Sequence, residues 1–234
     1  MLRGLLAFAD LKVTLDRPVR NRMKLLTLKM KELGVGTVLD VGANRGQFAM
    51  ELRASRYAGA IVSFEPLSAI YPELQKAAQA DTNWCVIRRM ALGEIPARTQ
   101  INVSRNLDSS SLLPVSQRSI DAAAETSYVG LDDVDVCRLD DVMEESWAKP
   151  FALKLDTQGF ELHVLKGAEK ALEHTAVVIT ELSLSPLYRG GASMVEMFQL
   201  LENRGFRCIG LMEAFIDTNR NELLQVDGIF VRQN

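Results

Sequence analysis

Short apolar runs, each followed by a helical pattern, are the feature that most constrains the fold of this chain. Such runs occur in GTVLDV (36–41), AIVSFE (60–65), FALKLD (151–156) and AVVITEL (176–182). Strands that alternate with helices predict an α/β fold, with a doubly wound, mostly parallel sheet covered on both faces. The last two runs, 206–211 and 225–232, have no helix between them and predict an antiparallel pair at one edge of the sheet.

The regular alternation stops between residues 92 and 151. Residues 97–104 and 134–140 have the pattern of additional strands, whereas residues 104–119 are rich in serine and have no clear period. Long irregular stretches inside a domain are usually functional or disordered, so we expect a mobile flap over a site here. With 234 residues and no linker, the chain is predicted to contain one large domain, 36–234, preceded by a helical extension, 1–35.

The extension is basic and amphipathic. Residues 1–31 contain eight lysines and arginines against two aspartates, although the whole chain has a net charge of −3. The pattern predicts a helix that has Pro18 in its first turn, ends at Gly34 and carries apolar side chains on one face: Val19, Met23, Leu26, Met30 and Leu33. Two interpretations stay open, a helix packed on its own domain and peripheral contact with an anionic membrane or a phosphorylated carrier.

The chain is expected to be cytoplasmic, with membrane-peripheral attachment as the alternative. No run approaches the roughly 20 apolar residues of a membrane span, and the apolar run at the N-terminus is too short for a signal peptide. Cys85, Cys137 and Cys208 are scattered, which predicts reduced, mostly buried thiols and neither disulfides nor a zinc site. No basic patch is interleaved with aromatic residues, so a nucleic-acid partner is not expected.

A glycine-spaced turn follows the first strand-like run and predicts a small-molecule site. Asn44 stands where a dinucleotide-binding turn would have its second glycine, between Gly42 and Gly46, which argues against a ligand with a pyrophosphate. S-adenosylmethionine fits better, with its carboxylate against the loop amides and its ribose hydroxyls on Glu65, at the end of the next run. In a doubly wound sheet, both features lie at the carboxyl ends of strands, where ligands bind.

Taken together, several segments resemble the FkbM family of S-adenosylmethionine-dependent O-methyltransferases. They are VLDVGANRGQF (38–48), VSFEP (62–66), ALGE (91–94), RLDDV (138–142), LKLDTQGFELHVLKGAEKAL (153–172) and ITELSLSPLY (179–188). The resemblance implies a Rossmann-like class I methyltransferase acting on hydroxyls of sugars, glycolipids or related metabolites. The cofactor residues it implies are Asp40, Gly42, Ala43, Asn44, Gly46, Glu65, Leu92 and Asp156. Many members have a glutamate where this chain has Gln158, so no role for that carboxylate is carried over.

Asp156 and Glu181 close neighbouring strand runs and are the best-placed carboxylates for activating a hydroxyl. Asp156 is the candidate general base; alternatively, Asp156 and Glu181 hold a Mg²⁺ ion that lowers the pKa of the hydroxyl. His163 is a lesser candidate base, because its helical stripe with Lys166, Lys170 and His174 is typical of a solvated face.

Two further interpretations stay open. Tyr188 and Arg189 either contact a sugar and an anionic group or only shape a turn. The alternatives to a methyltransferase are a non-catalytic nucleotide-binding scaffold and a nicotinamide-dependent oxidoreductase. The number of subunits is not predicted.

Overall fold

Ten strands and eight α-helices alternate along residues 19–233, the part of the chain that the computed structural model describes. The helices are α1 (Val19–Glu32), α2 (Gln47–Ala54), α3 (Tyr71–Ala78), α4 (Gln117–Ala122), α5 (Leu139–Val142), α6 (Glu161–Lys166), α7 (Glu169–Glu173) and α8 (Met194–Asn203). The strands are β1 (Thr37–Val41), β2 (Ala60–Phe64), β3 (Trp84–Val86), β4 (Ala91–Leu92), β5 (Ala97–Ser104), β6 (Tyr128–Cys137), β7 (Phe151–Leu155), β8 (Thr175–Ser183), β9 (Phe206–Asp217) and β10 (Glu222–Arg232).

Seven strands form the central sheet in the order β3-β2-β1-β7-β8-β10-β9. The pairs β1–β2, β1–β7, β2–β3 and β7–β8 are parallel, whereas β10 is antiparallel to both β8 and β9. The predicted α/β class, the mostly parallel sheet and the antiparallel C-terminal pair are confirmed. Within the pair, β10 also bonds to β8, so β9 forms this edge of the sheet and β3 forms the other.

Helices cover both faces of this sheet, so its central strands are buried on both sides. Every residue of β1 and β7 is buried. One face packs against α1, α2 and α3, the other against α6, α7 and α8. Met23, Leu26 and Met30 of α1 are buried in the first of these cores. The interpretation of α1 as a helix packed on its own domain is confirmed for residues 23–32. Pro18 and the residues before it, and the side chains of residues 19–22, lie outside what the structure describes.

A second, three-stranded sheet in the order β4-β6-β5 lies beside the first. It contains the two additional strands predicted from the sequence and has its own small core, which includes Leu67, Ile101 and Val134. Residues 105–116, called the flap below, connect β5 to α4. The structure places the flap across one end of the central sheet, where its contacts are described with the site.

Residues 160–173 have the periodicity of a single helix in the sequence but form two helices in the structure. α6 ends at Lys166 and α7 begins at Glu169, with Gly167 between them. A Cβ atom on Gly167 would overlap the backbone carbonyl oxygen of Gly93, so the chain turns here under tight backbone packing. Helical periodicity continues through such a break, because the apolar positions of both helices face the same core.

The thiols differ from the expectation of mostly buried cysteines. Cys85 is exposed, Cys137 and Cys208 are half-buried, and all three are free. A short edge strand explains the exposure of Cys85, since β3 has only three residues and pairs with β2 alone. Within residues 19–233, no helix combines the length and the apolar character needed to cross a membrane.

Candidate functional site

The turn after β1 has the left-handed backbone that its glycines allow. Gly42, Asn44 and Gly46 have φ angles of +73°, +50° and +85°. A Cβ atom on Gly42 would overlap the backbone carbonyl oxygen of Asp156, at the end of β7. The turn and the end of β7 are therefore in direct backbone contact, and only glycine fits at position 42.

The backbone amides of this turn are already bonded within the protein. The amides of Gly42 and Ala43 donate to the carbonyl of Phe64, and that of Gly46 donates to the carbonyl of Ala43. The amide of Asn44 donates to Glu65 Oε2 at 2.8 Å. We expected these amides to receive the carboxylate of a cofactor; instead they fix the turn to β2.

Glu65 holds the turn and faces a cavity. Its second oxygen, Oε1, accepts from the backbone amide of Leu67 at 2.9 Å, and the side chain is only 4% exposed. Burial raises the pKa of Glu65 to about 7, against the opposing effect of its two amide donors. Each carboxylate oxygen retains a lone pair for a ligand, so the placement is compatible with the predicted ribose contact.

Asp40 lies beneath the turn and does not line the cavity. It is fully buried, 3.3 Å from Lys154 Nζ, and accepts from Ser63 Oγ. Burial raises the pKa of its carboxyl group, and Lys154 opposes that shift. Gly46 likewise lies outside the cavity lining, packed on Trp84. The structure therefore gives both residues a supporting position, not the cofactor contact that we expected.

The cavity itself has a volume of about 410 Å³ and opens at the carboxyl ends of β1, β2 and β7. Of the predicted cofactor residues, Gly42, Ala43, Asn44, Glu65, Leu92 and Asp156 line it. Apolar side chains enclose the end beside β2 and β4, among them Leu67, Leu92 and Ile101. The apolar lining of this end suits a flat, largely apolar ring.

The flap covers this end of the cavity. Asp108 of the flap accepts from Asn44 Nδ2 at 2.9 Å and forms an ion pair with Arg45 at 3.3 Å. Farther along, Ser111 Oγ donates to the backbone carbonyl of Gln158 at 2.7 Å. The predicted position of the flap over the site is thus what the structure has, while its mobility stays a prediction.

Lys154 is the basic side chain that lines the cavity among the side chains that the structure describes, those of residues 23–212 and 214–233. Its Nζ donates to the carbonyl of Gly42 at 2.9 Å and lies 3.3 Å from Asp40 and 3.4 Å from Asp156. Burial opposes its charge, but Asp156 and Asp40 outweigh burial and raise the pKa of Lys154. The sequence analysis missed this residue, although a lysine inside an otherwise apolar, buried strand run is a signal of a buried ionic partner.

Asp156 and Glu181 are brought together, and Gln158 joins them. Gln158 Nε2 donates to Asp156 Oδ1 at 2.8 Å and lies 3.3 and 3.1 Å from the two carboxylate oxygens of Glu181. Asp156 lines the cavity, whereas Glu181 lies behind it. Burial, followed by the charge of Asp156, raises the pKa of Glu181 well above its usual value. Of the two, Asp156 is the carboxylate that a ligand reaches.

This donor set does not fit the predicted Mg²⁺ ion. An amide N–H and the Lys154 ammonium face the two carboxylates, and both are hydrogen-bond donors, which a cation cannot use as ligands. Within the described part of the chain, no cluster of three or more histidine, cysteine, aspartate or glutamate side chains is arranged for a metal. The magnesium interpretation therefore has no support from the geometry.

The remaining candidates lie outside the cavity. His163 stacks on Phe160 with ring centroids 4.4 Å apart and lies 3.7 Å from Glu94, on a partly exposed helix face as the solvated-face interpretation predicted. Glu161 accepts from the amides of Thr157 and Gly159, which makes it a support for the turn after β7. Tyr188 is buried and donates to Gln158 Oε1, whereas Arg189 is exposed.

Comparison with known proteins gives one family match. The family model described as Methyltransferase FkbM domain matches residues 40–208. No curated protein matches significantly.

Two solved structures share the fold. A protein from Klebsiella pneumoniae, described as a proposed O-methyltransferase, is 11% identical with a TM-score of 0.51, over 94% of this chain and 83% of that chain. The magnesium protoporphyrin IX methyltransferase of Synechocystis PCC 6803 with bound SAH is 9% identical with a TM-score of 0.50, over 92% of this chain and 83% of that chain. The fold is that of the Rossmann-like class I methyltransferases.

Proposed function

This chain belongs to the FkbM family of methyltransferases, and from that premise we propose that it transfers the methyl group of S-adenosylmethionine to a hydroxyl of a sugar, glycolipid or related metabolite. Methyl transfer from S-adenosylmethionine is the chemistry that the family and the fold support. Oxygen as the acceptor atom, and the class of acceptor, are the finer parts of the proposal.

The observation that carries the choice of cofactor is the charge of the cavity. Among the described side chains of residues 23–212 and 214–233, one basic side chain lines it, Lys154, against five acidic ones: Glu51, Glu65, Asp108, Asp156 and Asp227. S-adenosylmethionine carries a sulfonium and an ammonium group, and a cleft lined mostly by carboxylates attracts such a ligand. The same cleft repels the pyrophosphate of a nicotinamide dinucleotide, which disfavours the oxidoreductase alternative.

We place the adenosine part of the cofactor at the covered end of the cavity. Glu65 would accept the ribose hydroxyls, and Leu92 with Leu67 would pack beside the adenine. Because the turn amides are bonded internally, Lys154 is the group available to the cofactor's carboxylate. In this arrangement the turn contacts the cofactor but donates no backbone hydrogen bond to it.

The opposite end of the cavity supports an acceptor with an apolar part. Met23 and Leu26 of α1 line it, together with Phe48, Ile179 and Met212. A free sugar would not cover these apolar side chains, whereas the apolar part of a glycolipid or an aglycone would pack on them. The acceptor hydroxyl would then lie beside Asp156, between the two ends.

Asp156 is the proposed general base. The acceptor oxygen forms a bond to the methyl carbon as the carbon–sulfur bond breaks, and the hydroxyl proton passes to the Asp156 carboxylate. The products are the methyl ether, S-adenosylhomocysteine and a protonated carboxyl group, which returns its proton to water. Alignment of the two substrates in one cavity can lower the barrier by about 7 to 11 kcal/mol.

We also propose a peripheral membrane contact through α1. Leu25 and Leu28 are 57% and 54% exposed on the face opposite the cavity, near the exposed Lys24 and Lys31. Exposed leucines beside lysines match an anionic lipid surface. A lipid-linked acceptor would then be presented next to the helix that lines the acceptor end.

Titration calorimetry tests the cofactor proposal. We expect binding of S-adenosylmethionine and no binding of NAD⁺, and we expect Glu65→Ala to weaken binding about 10- to 100-fold through the loss of hydrogen bonds to a charged group. The exposed Glu202 of α8 gives the matched control, since Glu202→Ala should bind like the natural chain. Failure to bind S-adenosylmethionine would favour the scaffold alternative.

Turnover tests the acceptor and the base. Labelled S-adenosylmethionine incubated with a panel of glycolipids and nucleotide sugars should label a hydroxyl of one class. With that acceptor, Asp156→Asn should lower kcat about 10²- to 10⁴-fold while cofactor binding is largely retained. His163→Asn serves as the control and should leave kcat nearly unchanged; the reverse result would make His163 the base.

A further inference from the structure

The two carboxylates at the site are joined by a single amide group. Gln158 Nε2 donates to Asp156 Oδ1 at 2.8 Å and lies 3.3 and 3.1 Å from Glu181 Oε1 and Oε2. One NH₂ group has two hydrogens, so it can donate to both carboxylates at once. The amide occupies the space between two acids that each follow the last paired residue of the parallel strands β7 and β8.

The orientation of that amide is set by the two carboxylates. Ionised carboxylates only accept hydrogen bonds, so the NH₂ group faces them and the amide oxygen points away. On that side, the hydroxyl of Tyr188 lies 2.6 Å from Gln158 Oε1, to which it donates, and 3.3 Å from the carbonyl of Ser109. Tyr188 is 5% exposed, so the amide oxygen has a buried partner in this orientation.

The backbone of Gln158 is held as tightly as its side chain. Its φ angle is +56°, in the left-handed region that disfavours residues other than glycine and asparagine. The flap secures this conformation, because Ser111 Oγ donates to the carbonyl of Gln158 at 2.7 Å. A strained residue persists where its surroundings determine it from several sides, and such residues are concentrated at functional sites.

From this geometry we propose that Gln158 is a positioning residue that takes the place of a divalent cation between Asp156 and Glu181. Its two N–H groups neutralise part of the repulsion between the acids and hold Asp156 toward the cavity. The reaction then needs no metal ion. The inference rests on the proposed function for the reaction that is positioned, but the amide bridge itself is independent of it.

The sharpest test exchanges the donor for an acceptor of equal size. Gln158→Glu replaces NH₂ by oxygen and brings three carboxylates together, which is the oxygen donor set that divalent cations bind. We expect calorimetry with Mn²⁺ or Mg²⁺ to detect binding to this variant and none to the natural chain. In turnover, the natural chain should be unaffected by EDTA, whereas Gln158→Glu should lose about tenfold or more and recover in part with Mg²⁺.

Two neutral variants separate positioning from folding. Gln158→Met keeps the length of the side chain and removes the donor, and we expect kcat to fall about tenfold with KM nearly unchanged and no response to metal. Tyr188→Phe removes the hydroxyl that binds the amide oxygen and holds the side chain in place, so it should lower kcat in the same way. Circular dichroism and thermal unfolding identify any variant that has not folded.

Specific results would overturn the proposal. Binding of Mg²⁺ to the natural chain together with loss of turnover in EDTA would mean that a metal occupies the site. Natural kcat in Gln158→Met would mean that the bridge positions nothing. If the chain binds no S-adenosylmethionine, the proposed function fails, yet the metal-binding comparison between the natural chain and Gln158→Glu still tests the bridge.

Discussion

Glu65 combines burial with two backbone donors, and this combination makes cofactor binding depend on pH. The pKa of its carboxyl group is raised to about 7, so a substantial fraction is protonated near neutrality. A ribose diol and a cationic cofactor both favour the ionised form, which accepts hydrogen bonds at both oxygens. Protons therefore compete with the cofactor as the pH falls through 7.

We expect the Kd for S-adenosylmethionine to be about tenfold weaker at pH 6 than at pH 8. Glu65→Gln removes the titrating group, so its Kd should be weaker overall and change much less over this range. Isothermal calorimetry in buffers of equal ionic strength measures both. An equal pH dependence in the natural chain and in the variant would assign the effect to another group, such as the ammonium of the cofactor.

At the residue scale, strand-end acids could be predicted and their hydrogen bonds could not. Asp156 and Glu181 were identified because the carboxyl ends of parallel strands meet at one edge, whichever side chains surround them. The internal bonding of the Ala43 amide depends on the carbonyl of Phe64, a tertiary contact with a neighbouring strand. The bridging role of Gln158 likewise needs Tyr188, which is 30 residues away in the sequence.

At the scale of elements, the break between α6 and α7 shows what sequence periodicity omits. Apolar spacing reports which face of a helix is buried, and it is the same before and after Gly167. The interruption comes from another part of the chain, the carbonyl of Gly93, which leaves no space for a side chain. The capping box of α8 is local by contrast, because Ser193 and Glu196 are three residues apart and each side chain binds the backbone amide of the other.

The tight packing at Gly167 leads to a prediction for stability. Gly167→Ala places a methyl group against backbone that cannot move without displacing β4, so the free energy of unfolding should fall by about 2 to 4 kcal/mol. Gly130→Ala in β6 is the matched control, because a Cβ atom there meets nothing within 4 Å. Its effect should stay within about 0.5 kcal/mol. Denaturant unfolding measures both, and equal stability of the two variants would contradict the packing argument.

For the whole molecule, the fold gathers residues from distant parts of the sequence into one cavity. The alternation of strands and helices predicted the sheet correctly, because burial on both faces gives continuous apolar runs. What it did not predict is that α1 lines the cavity with Met23 and Leu26. A helix that precedes the first strand can pack on either face of the sheet. The spacing of its apolar residues shows which side of the helix is buried, but not which face of the sheet it covers.

The position of α1 also predicts how the molecule lies on a membrane. Leu25→Ser combined with Leu28→Ser should reduce co-sedimentation with anionic vesicles about tenfold or more, because both exposed leucines would otherwise enter the interface. Val195→Ser, at an equally exposed position on α8, is the control. Vesicles of neutral lipid should bind less of the natural chain. If the natural chain does not bind anionic vesicles, the proposed membrane contact is wrong and α1 only packs on its own domain.

Position 42 couples two parts of the cavity through a single backbone contact. A side chain there would collide with the carbonyl oxygen of Asp156, so a substitution would displace the turn after β1 and the end of β7 together. Under the proposed function, a mutation at this one position would abolish ligand binding and methyl transfer at once, whereas changes at Glu65 and Asp156 separate the two.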